Sequence, residues 1–242
     1  MLLNCDLGES YGSWTMGHDA LVMAHIDQAS IACGFHAGDP LTMRRTLLLA
    51  RQHGVAVGAH PAYPDLVGFG RRSMALGADE LTAVLHYQIA ALDGMAQSVG
   101  LALSYVKPHG ALYHDMMQQS AVRATILHAL SIYPRPLALV LQASARNEAL
   151  RAEADAAGVT LLFEAFADRA YTDDGNLQPR NQPGAVLDRE ALLAQVAQLR
   201  RASCVTTAGG QVLAVQFDTL CVHGDNPDSV AAIAAVRALL DG

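Results

Sequence analysis

Short apolar runs alternate with longer amphipathic segments along this 242-residue chain, and no other feature constrains its fold as strongly. The first such pair is Leu2–Asp6, a strand-like run, and Asp19–Asp27, a helix-like segment. Alternation of this kind builds a mostly parallel sheet, because each helix returns the chain to the edge where the next strand begins. We therefore predict an α/β fold of about seven strand–helix units without a linker. The units form one domain over residues 1–242.

The predicted elements follow one another at regular intervals. Strands are predicted at Leu2–Asp6, Ala29–Cys33, Val55–Ala59, Leu101–Lys107, Leu137–Leu141, Val159–Glu164 and Leu220–Val222. Helices are predicted at Asp19–Asp27, Pro40–His53, Asp79–Gly100, Ser120–Tyr133, Asn147–Ala157, Asp188–Arg201 and Asn226–Leu240, where the first residues Asp79, Asp188 and Asn226 are caps. A small hairpin is predicted between Cys204–Thr206 and Gln211–Phe217.

Polar residues follow most of the predicted strands at the point where each strand ends. In chain order they are Asp6, Glu9, His36, His60, Lys107, His109, Glu164, Arg169, His223 and Asp225. The carboxyl ends of parallel strands open on one face, where ligands bind. An open sheet concentrates such residues at one switch point, whereas here they follow nearly every strand, so we predict a closed or nearly closed barrel.

Composition excludes several classes of function. The formal net charge is −7 and no basic stripe is present, which argues against a nucleic-acid partner. No apolar run reaches the roughly 18 residues of a membrane span, and the first ten residues lack the basic region of a secretory signal. The four cysteines mostly lie in apolar runs and are interpreted as reduced thiols, which predicts a cytoplasmic protein.

Three of the strand-end residues form a candidate metal site. Asp6, His36 and His60 follow three successive strands, and one carboxylate with two imidazoles is a common ligand set for a catalytic divalent metal. Neighbouring strands are about 4.8 Å apart, so the three side chains can converge. In the alternative, Asp6 caps a turn and the two histidines hydrogen-bond to the backbone or to a substrate.

Cationic side chains at the same face predict contacts with an anionic group. Lys107 could anchor an anion or stabilise a developing oxyanion, or it could simply pair with Glu164 or Asp6. Arg169, shortly after the strand that carries Glu164, could hold a carboxylate through a bidentate contact. Both alternatives for Lys107 place it in the barrel mouth.

His223 could act as a general acid or base, or it could only orient a neighbouring group. We assign catalysis to Asp6, His36, His60, Lys107, His109 and His223, and substrate binding to Glu9, Asp39, Glu164, Arg169 and Asp225. The sequence contains no Gly-x-x-x-x-Gly-Lys-Ser/Thr loop and no Gly-x-Ser-x-Gly elbow. An activated serine is therefore not expected, and any use of ATP would rely on a partner.

Eight motifs occur in order from one end of the chain to the other. They are NCDLGE, ASIACGFHAGD, VGAHPAYPD, FGRR, VKPHGALY, EAFADRAY, PRNQPGAV and CVHGD. With these motifs the chain resembles the LamB/YcsF lactam-utilisation family, which includes one component of bacterial ATP-dependent 5-oxoprolinase. The resemblance implies a distorted seven-stranded (β/α) TIM-like barrel of the glycoside hydrolase/deacetylase type.

The resemblance also implies an activity. It implies opening of the 5-oxoproline lactam to L-glutamate, driven by hydrolysis of ATP (as a magnesium complex), in a complex with two partner subunits. In related deacetylase barrels one aspartate and two histidines bind a metal, which by position are Asp6, His36 and His60 here. Two alternatives stay open, a stand-alone metal-dependent amidase or deacetylase and a non-catalytic protein that binds the lactam for its partners. Assembly into a homo-oligomer also stays open.

Overall fold

A closed parallel barrel forms the centre of the molecule in a computed structural model that describes residues 1–224 and 227–242. Within those residues seven strands close the barrel, in the order β1-β2-β3-β4-β5-β6-β9. The strands are β1 (Leu2–Leu7), β2 (Gln28–Ala32), β3 (Ala56–His60), β4 (Leu103–Val106), β5 (Ala138–Gln142), β6 (Leu161–Phe166), β7 (Cys204–Thr206), β8 (Val212–Ala214) and β9 (Thr219–His223). Strands β7 and β8 pair separately as the predicted antiparallel hairpin. The TIM-like barrel is thus confirmed.

Helices follow the strands and surround the barrel. They are α1 (Asp19–Val22), α2 (Pro40–His53), α3 (Ala78–Ser98), α4 (Gly110–Gln118), α5 (Ser120–Ser131), α6 (Asn147–Ala156), α7 (Arg189–Ala202) and α8 (Pro227–Asp241). Helix α2 has the predicted bounds because Asp39 caps its first turn, accepting from the backbone N–H of Leu41 at 2.9 Å, and Gly54 ends it in the left-handed conformation. Asp188 caps α7 in the same way.

Three details of the helix prediction were wrong. The segment predicted as one helix from Asp19 is the single turn α1 followed by a 3₁₀ turn at Met23–His25. Helix α3 begins after Gly77, so Asp79 lies in its first turn and not at its cap. Helix α4 was missed because Pro108 and Gly110 at its start are typical of a loop.

The interior of the barrel is filled by polar side chains, which is unusual because such interiors are mostly packed with branched apolar residues. The Tyr105 ring on β4 lies against Gly58 of the neighbouring strand β3, where a Cβ atom would clash with it. Its hydroxyl lies 3.2 Å from the Ser30 hydroxyl. Thr219 donates to Gln28 at 2.8 Å. This polar layer lies directly beneath the strand ends that carry the candidate site residues.

The membrane, cysteine and Asp225 predictions can be compared with the structure as follows. In the described part of the chain, no helix combines the length and the apolar character needed to cross a membrane. Cys5, Cys33 and Cys221 are buried as free thiols, and Cys204 is half-buried. Asp225, a predicted substrate-binding residue, lies outside the described residues, as does Asn226, the predicted cap of α8.

Candidate active site

The carboxyl ends of the barrel strands open into a cavity of about 420 Å³. Strand register sets this arrangement, since Asp6 is paired with His223 across β1 and β9, and His60 ends the nearby strand β3. The predicted residues that line the cavity are Asp6, Glu9, His60, Lys107, His109, Arg169 and His223. The sequence analysis did not assign a role to five other polar or aromatic lining residues, Arg71, Tyr113, His114, Phe166 and Arg180.

Lys107, Asp6 and Glu164 form a buried group of charges at the floor of this cavity, here called the lysine cluster. The Lys107 ammonium lies 2.9 Å from Asp6 Oδ1 and 3.0 Å from Glu164 Oε2. It also donates to Asn4 Oδ1 at 3.2 Å. Tyr113 donates to the second Glu164 oxygen at 2.8 Å. Each charge in the lysine cluster therefore faces an opposite charge or a hydrogen-bond partner.

The lysine cluster keeps Lys107 and Asp6 ionised. Burial alone would lower the pKa of Lys107, but Asp6 and the other anionic neighbours outweigh it, so this pKa lies well above the usual value for lysine. Burial alone would raise the pKa of Asp6, but the charge of Lys107 and the hydrogen bond from its ammonium hold it far below the usual range. Lys107 is therefore a permanent cation at the floor of the cavity, beside an Asp6 carboxylate that stays charged.

Glu9, His36, His60 and His109 form a second group, here called the histidine cluster. Each offers one ligand atom, and these four atoms all lie within 4.8 Å of one another. The rings of His36 and His109 stack with centroids 3.8 Å apart. Glu9 Oε1 lies 3.3 Å from His36 Nε2 and 3.4 Å from His109 Nδ1. One carboxylate and three imidazoles thus converge on one point beside the lysine cluster.

Backbone carbonyls fix which nitrogen of two of these rings carries the proton. His60 Nδ1 lies 2.6 Å from the carbonyl oxygen of Lys107, and His109 Nε2 lies 2.9 Å from that of Phe69. A carbonyl oxygen only accepts, so both of these nitrogens are protonated and donate. The other two nitrogens, His60 Nε2 and His109 Nδ1, then carry lone pairs and face each other at 3.0 Å.

All three imidazoles are held neutral. Burial lowers the pKa of His60 to about 3, and burial together with the neighbouring rings lowers the pKa values of His36 and His109 well below the usual value. Neither nitrogen of His36 has a hydrogen-bond partner among the described residues. Neutral imidazoles whose lone pairs converge beside a carboxylate match the ligand set of a divalent transition metal. The histidine cluster therefore fits a metal ion.

The three predicted metal ligands are divided between the two clusters. His36 and His60 lie in the histidine cluster, whereas Asp6 contacts Lys107 and lies 3.5 Å from His60 Nε2. Asp6 also belongs to a second group of ligand-type atoms, with Cys221 and His223. Around His36 and His60 the histidine cluster adds Glu9, predicted to bind substrate, and His109, predicted to be catalytic.

His223 lies beside Asp6 of the lysine cluster and is oriented by a buried carboxylate. Its Nδ1 lies 2.9 Å from Asp168 Oδ1, and Ser229 donates to the other Asp168 oxygen at 2.9 Å. Burial would raise the pKa of Asp168, but His223 and these hydrogen bonds lower it to about 2. Asp168 is therefore a carboxylate that accepts from His223 Nδ1, and Nε2 is the ring nitrogen left to exchange a proton with a bound molecule. The face of the His223 ring stacks on Phe166.

Arg169 lies at the rim of the cavity and is held by the loop that follows β6. Its guanidinium donates to the carbonyl oxygens of Ala185 and Gln178, at 3.1 and 2.6 Å. Burial, and then the charge of Arg180, lower its pKa to about 10, so it remains a cation at neutral pH. Burial, and then the charge of Arg169, lower the pKa of His114. Arg169 and Arg180 therefore make this part of the cavity lining positively charged.

Two predicted substrate-binding residues lie away from the cavity surface. Asp39 caps α2 and also accepts from the backbone of Gly12 at 3.0 Å. Glu164 is 0% exposed and contacts Lys107, as the alternative interpretation of that lysine expected. Among the described residues, His223 pairs with Asp168. The sequence pointed to Asp168 only through the adjacent pair Asp168-Arg169 after the sixth predicted strand. Tyr113 ends the motif VKPHGALY but was given no role, because helix α4, which places it beside Glu164, was not predicted.

Comparison with known proteins gives matches over the whole chain. The model of the LamB/YcsF family matches residues 1–242. A Pseudomonas putida protein named as a 5-oxoprolinase subunit is 55% identical over 243 residues, which cover 100% of this chain and 94% of that protein. A Vibrio cholerae protein with the same kind of name is 53% identical over 240 residues, covering 99% and 97%. The crystal structure of a lactam utilization protein from Thermus thermophilus matches with a TM-score of 0.91 at 40% identity, covering 100% and 96%.

Proposed function

The chain belongs to the LamB/YcsF family, and from this premise we propose that it acts as one subunit of an ATP-dependent 5-oxoprolinase. Relatives that are 51–55% identical over nearly their full length are named as subunits of 5-oxoprolinase. The activity is the opening of the 5-oxoproline lactam to L-glutamate, coupled to hydrolysis of ATP to ADP and phosphate. Beyond the family, the proposal rests on one arrangement: a fixed ammonium, an oriented imidazole and a guanidinium surround the same cavity.

Ring opening needs an added water and a protonated leaving group. The oxygen of water forms a bond to the lactam carbonyl carbon, and the bond from that carbon to the ring nitrogen breaks. The nitrogen takes a proton and becomes the amine of glutamate, while the carbonyl carbon becomes its side-chain carboxylate. An amide is a poor electrophile with a poor leaving group, so the reaction requires a base, an acid and stabilisation of the oxyanion.

The residues of the cavity can supply these functions. His223, with its lone pair on Nε2, takes a proton from the attacking water, and Asp168 holds the ring in that tautomer. The resulting imidazolium can return the proton to the leaving nitrogen. Lys107 places a positive charge beside the carbonyl oxygen as negative charge develops there. Arg169 holds the substrate carboxylate at the rim.

The histidine cluster would hold a divalent cation through Glu9, His36, His60 and His109. A cation bound there would supply polarisation of a carbonyl or acidification of a bound water. The carbonyl oxygens of Lys107 and Phe69 keep two of these rings in the tautomer that such binding needs. Asp6, charged and 3.5 Å from His60, can orient a water between the two clusters.

We further propose that ATP is bound by the partner subunits, of which two are expected, and that Mg²⁺ accompanies the nucleotide. The sequence carries no Gly-x-x-x-x-Gly-Lys-Ser/Thr loop. In this arrangement the partners transfer the terminal phosphoryl group of ATP to the lactam carbonyl oxygen and release ADP. At this chain water adds to the carbonyl carbon and the bond to the ring nitrogen breaks, which leaves an acyl phosphate, and a second water then releases phosphate and glutamate.

The test is an assay of glutamate release from 5-oxoproline by the purified chain, with and without its partner subunits and ATP. We expect release only in the complete mixture. In that mixture, Asp168→Asn should lower the turnover about 100- to 10,000-fold, because His223 loses its tautomer. Asp155→Asn, at an exposed carboxylate on α6, is the matched control and should not change turnover.

The outcomes separate the alternatives. Release without ATP or partners would identify a stand-alone amidase, which the histidine cluster favours as the second candidate function. Full turnover in Asp168→Asn, or in both His36→Ala and Lys107→Ala, would contradict a catalytic role of this cavity. In that case 5-oxoproline binding that survives these substitutions would indicate a protein that only delivers the lactam.

A further inference from the structure

The loop from Asp65 to Arg72 lies over the histidine cluster and contains an unusual backbone conformation. Phe69 has φ of 54°, and among the described residues the only other non-glycine residue with positive φ is Ser203. Ser203 occupies the C-cap of α7, where such a conformation is common. Phe69 ends no helix, so its backbone is held in an unfavourable region by its surroundings.

The contacts of Phe69 converge on the stacked histidines. Its carbonyl oxygen accepts the Nε2 proton of His109 at 2.9 Å. Its ring meets the ring of His109 edge-to-face with centroids 5.0 Å apart, and that of His36 in the same way at 5.4 Å. The unusual conformation is what allows one residue to present both its carbonyl and its ring to the same pair of imidazoles.

Gly70 completes the contact by bringing the backbone against the two rings. A Cβ atom at this position would lie 2.9 Å from His109 Cδ2 and 2.9 Å from His36 Cβ, closer than real Cβ contacts come. Its φ of 65° is also unfavourable for any other residue. The carbonyl of Gly70 accepts from the backbone of Ala111 at 2.9 Å, so the loop is also tied to the start of α4.

Asp65 holds the loop in this shape from the other side. It accepts from the backbone N–H of Gly68 at 3.0 Å and pairs with the Arg72 guanidinium. Its backbone carbonyl accepts from Gly70 at 2.8 Å. Contacts among its own residues therefore hold the loop in this shape, in addition to its contact with α4.

We propose that Phe69 and Gly70 are positioning residues for the histidine cluster. The Phe69 carbonyl keeps the His109 proton on Nε2, so that the Nδ1 lone pair points to Glu9 and His60. Gly70 lets the loop approach closely enough to keep the rings of His36 and His109 stacked. This inference deepens the proposed function, since it assigns what organises the ligands, but its test does not depend on 5-oxoproline turnover.

The test compares Gly70→Ala with Gly54→Ala. The two glycines have φ of 65° and 69°, so both variants place an alanine at a similar positive φ, but nothing lies within 4 Å of a Cβ atom at Gly54. The first measurement is the long-range ¹H–¹⁵N correlation spectrum of the histidine rings near neutral pH, which reports the tautomer of each ring. The second is the affinity for Zn²⁺ alone, measured by isothermal titration calorimetry.

Wild type and Gly54→Ala should show His109 as the Nε2–H tautomer and bind Zn²⁺ with equal affinity. Gly70→Ala should lose that single tautomer and bind Zn²⁺ about 10- to 100-fold more weakly. An unchanged His109 tautomer in Gly70→Ala would overturn the proposal. Because the tautomer is read without metal or substrate, this result stands even where zinc binding or turnover fails.

A second variant covers the case in which Gly70→Ala does not fold. Phe69→Asn keeps the carbonyl and tolerates positive φ, but it removes the ring. We expect it to keep the His109 tautomer and to weaken Zn²⁺ binding only through a looser His36. Loss of the tautomer in Phe69→Asn would show that the ring, and not the carbonyl, fixes the proton, and would overturn that part of the proposal.

Discussion

The lysine cluster and the histidine cluster lie side by side at the mouth of the barrel but differ in how their polar groups are satisfied. In the lysine cluster one cation lies between Asp6 and Glu164 at 2.9 and 3.0 Å, so both carboxylates face the same opposite charge. In the histidine cluster the facing atoms of His60 and His109 both carry lone pairs and lie 3.0 Å apart. The carboxylates of the lysine cluster thus have their partner within the protein, whereas in the histidine cluster two hydrogen-bond acceptors face each other.

This difference separates two kinds of preorganisation. A compensated network fixes a charge in the low dielectric of the interior, where its field acts on a substrate without rearrangement. A set of converging lone pairs stabilises nothing by itself and gains its interaction only when a cation or a hydrogen-bond donor enters. The cavity therefore combines a permanently charged lysine with a group of side chains that can bind a cation.

The largest expected effect comes from breaking the compensation in the lysine cluster. Lys107→Met leaves two buried carboxylates without a counter-charge, so the free energy of unfolding should fall by about 3–5 kcal/mol. Glutamate formation by the reconstituted complex should fall about 100- to 1000-fold with the loss of the cation. Urea unfolding monitored by circular dichroism, together with the activity assay, measures the two effects.

The matched control for Lys107→Met removes a carboxylate together with the lysine. In Lys107→Met with Glu164→Gln, part of the stability should return, because fewer uncompensated charges stay buried. Activity should not return. A Lys107→Met protein as stable as the wild type would show that the lysine cluster is not a compensated network.

The sequence allowed the strand-end residues to be placed at one face of the barrel, but it did not show that they separate into a lysine cluster and a histidine cluster. Asp6, His36, His60 and Lys107 could be placed at one face because parallel strands end there. Which of them touch depends on barrel tilt and on loops such as the one around Phe69, and neither follows from a periodic pattern. Glu9 could be predicted to lie at the mouth, but its place among the histidines could not.

The second prediction sharpens the comparison by asking which carboxylate binds a metal. Zn²⁺ at about 100 times its dissociation constant should raise the free energy of unfolding by about 2.7 kcal/mol. Glu9→Gln and His109→Gln should reduce this gain, while Asp6→Asn should retain it, because Asp6 is occupied by Lys107. Thermal unfolding with and without Zn²⁺ or a chelator measures the gain in each variant.

The reverse order of these variants would support the ligand set predicted from the sequence. If Asp6→Asn abolished the gain and Glu9→Gln kept it, the metal would be held by Asp6, His36 and His60. Each variant is compared with itself in the presence of chelator, so the loss of stability from the substitution alone does not enter the result.

The smallest expected effect uses pH to separate the two clusters. The pKa values of His36, His60 and His109 are lowered in the folded protein, whereas an unfolded histidine titrates near pH 6.5. Below that pH the unfolded chain takes up protons that the folded chain does not, so stability is full above about pH 7 and is lost as the pH falls. Between about pH 7 and 5.5 each such histidine should lower the free energy of unfolding by about 1.2 kcal/mol.

The lysine cluster should contribute nothing in this window. The pKa of Asp6 is lowered in the folded protein, so Asp6 makes stability depend on pH only below the normal aspartate pKa. The pKa of Lys107 is raised, so Lys107 makes stability depend on pH only above the normal lysine pKa. His109→Gln should therefore show a loss between about pH 7 and 5.5 that is smaller than that of the wild type by about 1.2 kcal/mol. Urea unfolding at constant ionic strength measures both proteins. An equal loss in the two would mean that His109 takes up protons as readily in the folded state as in the unfolded state, and the convergence of lone pairs would then be wrong.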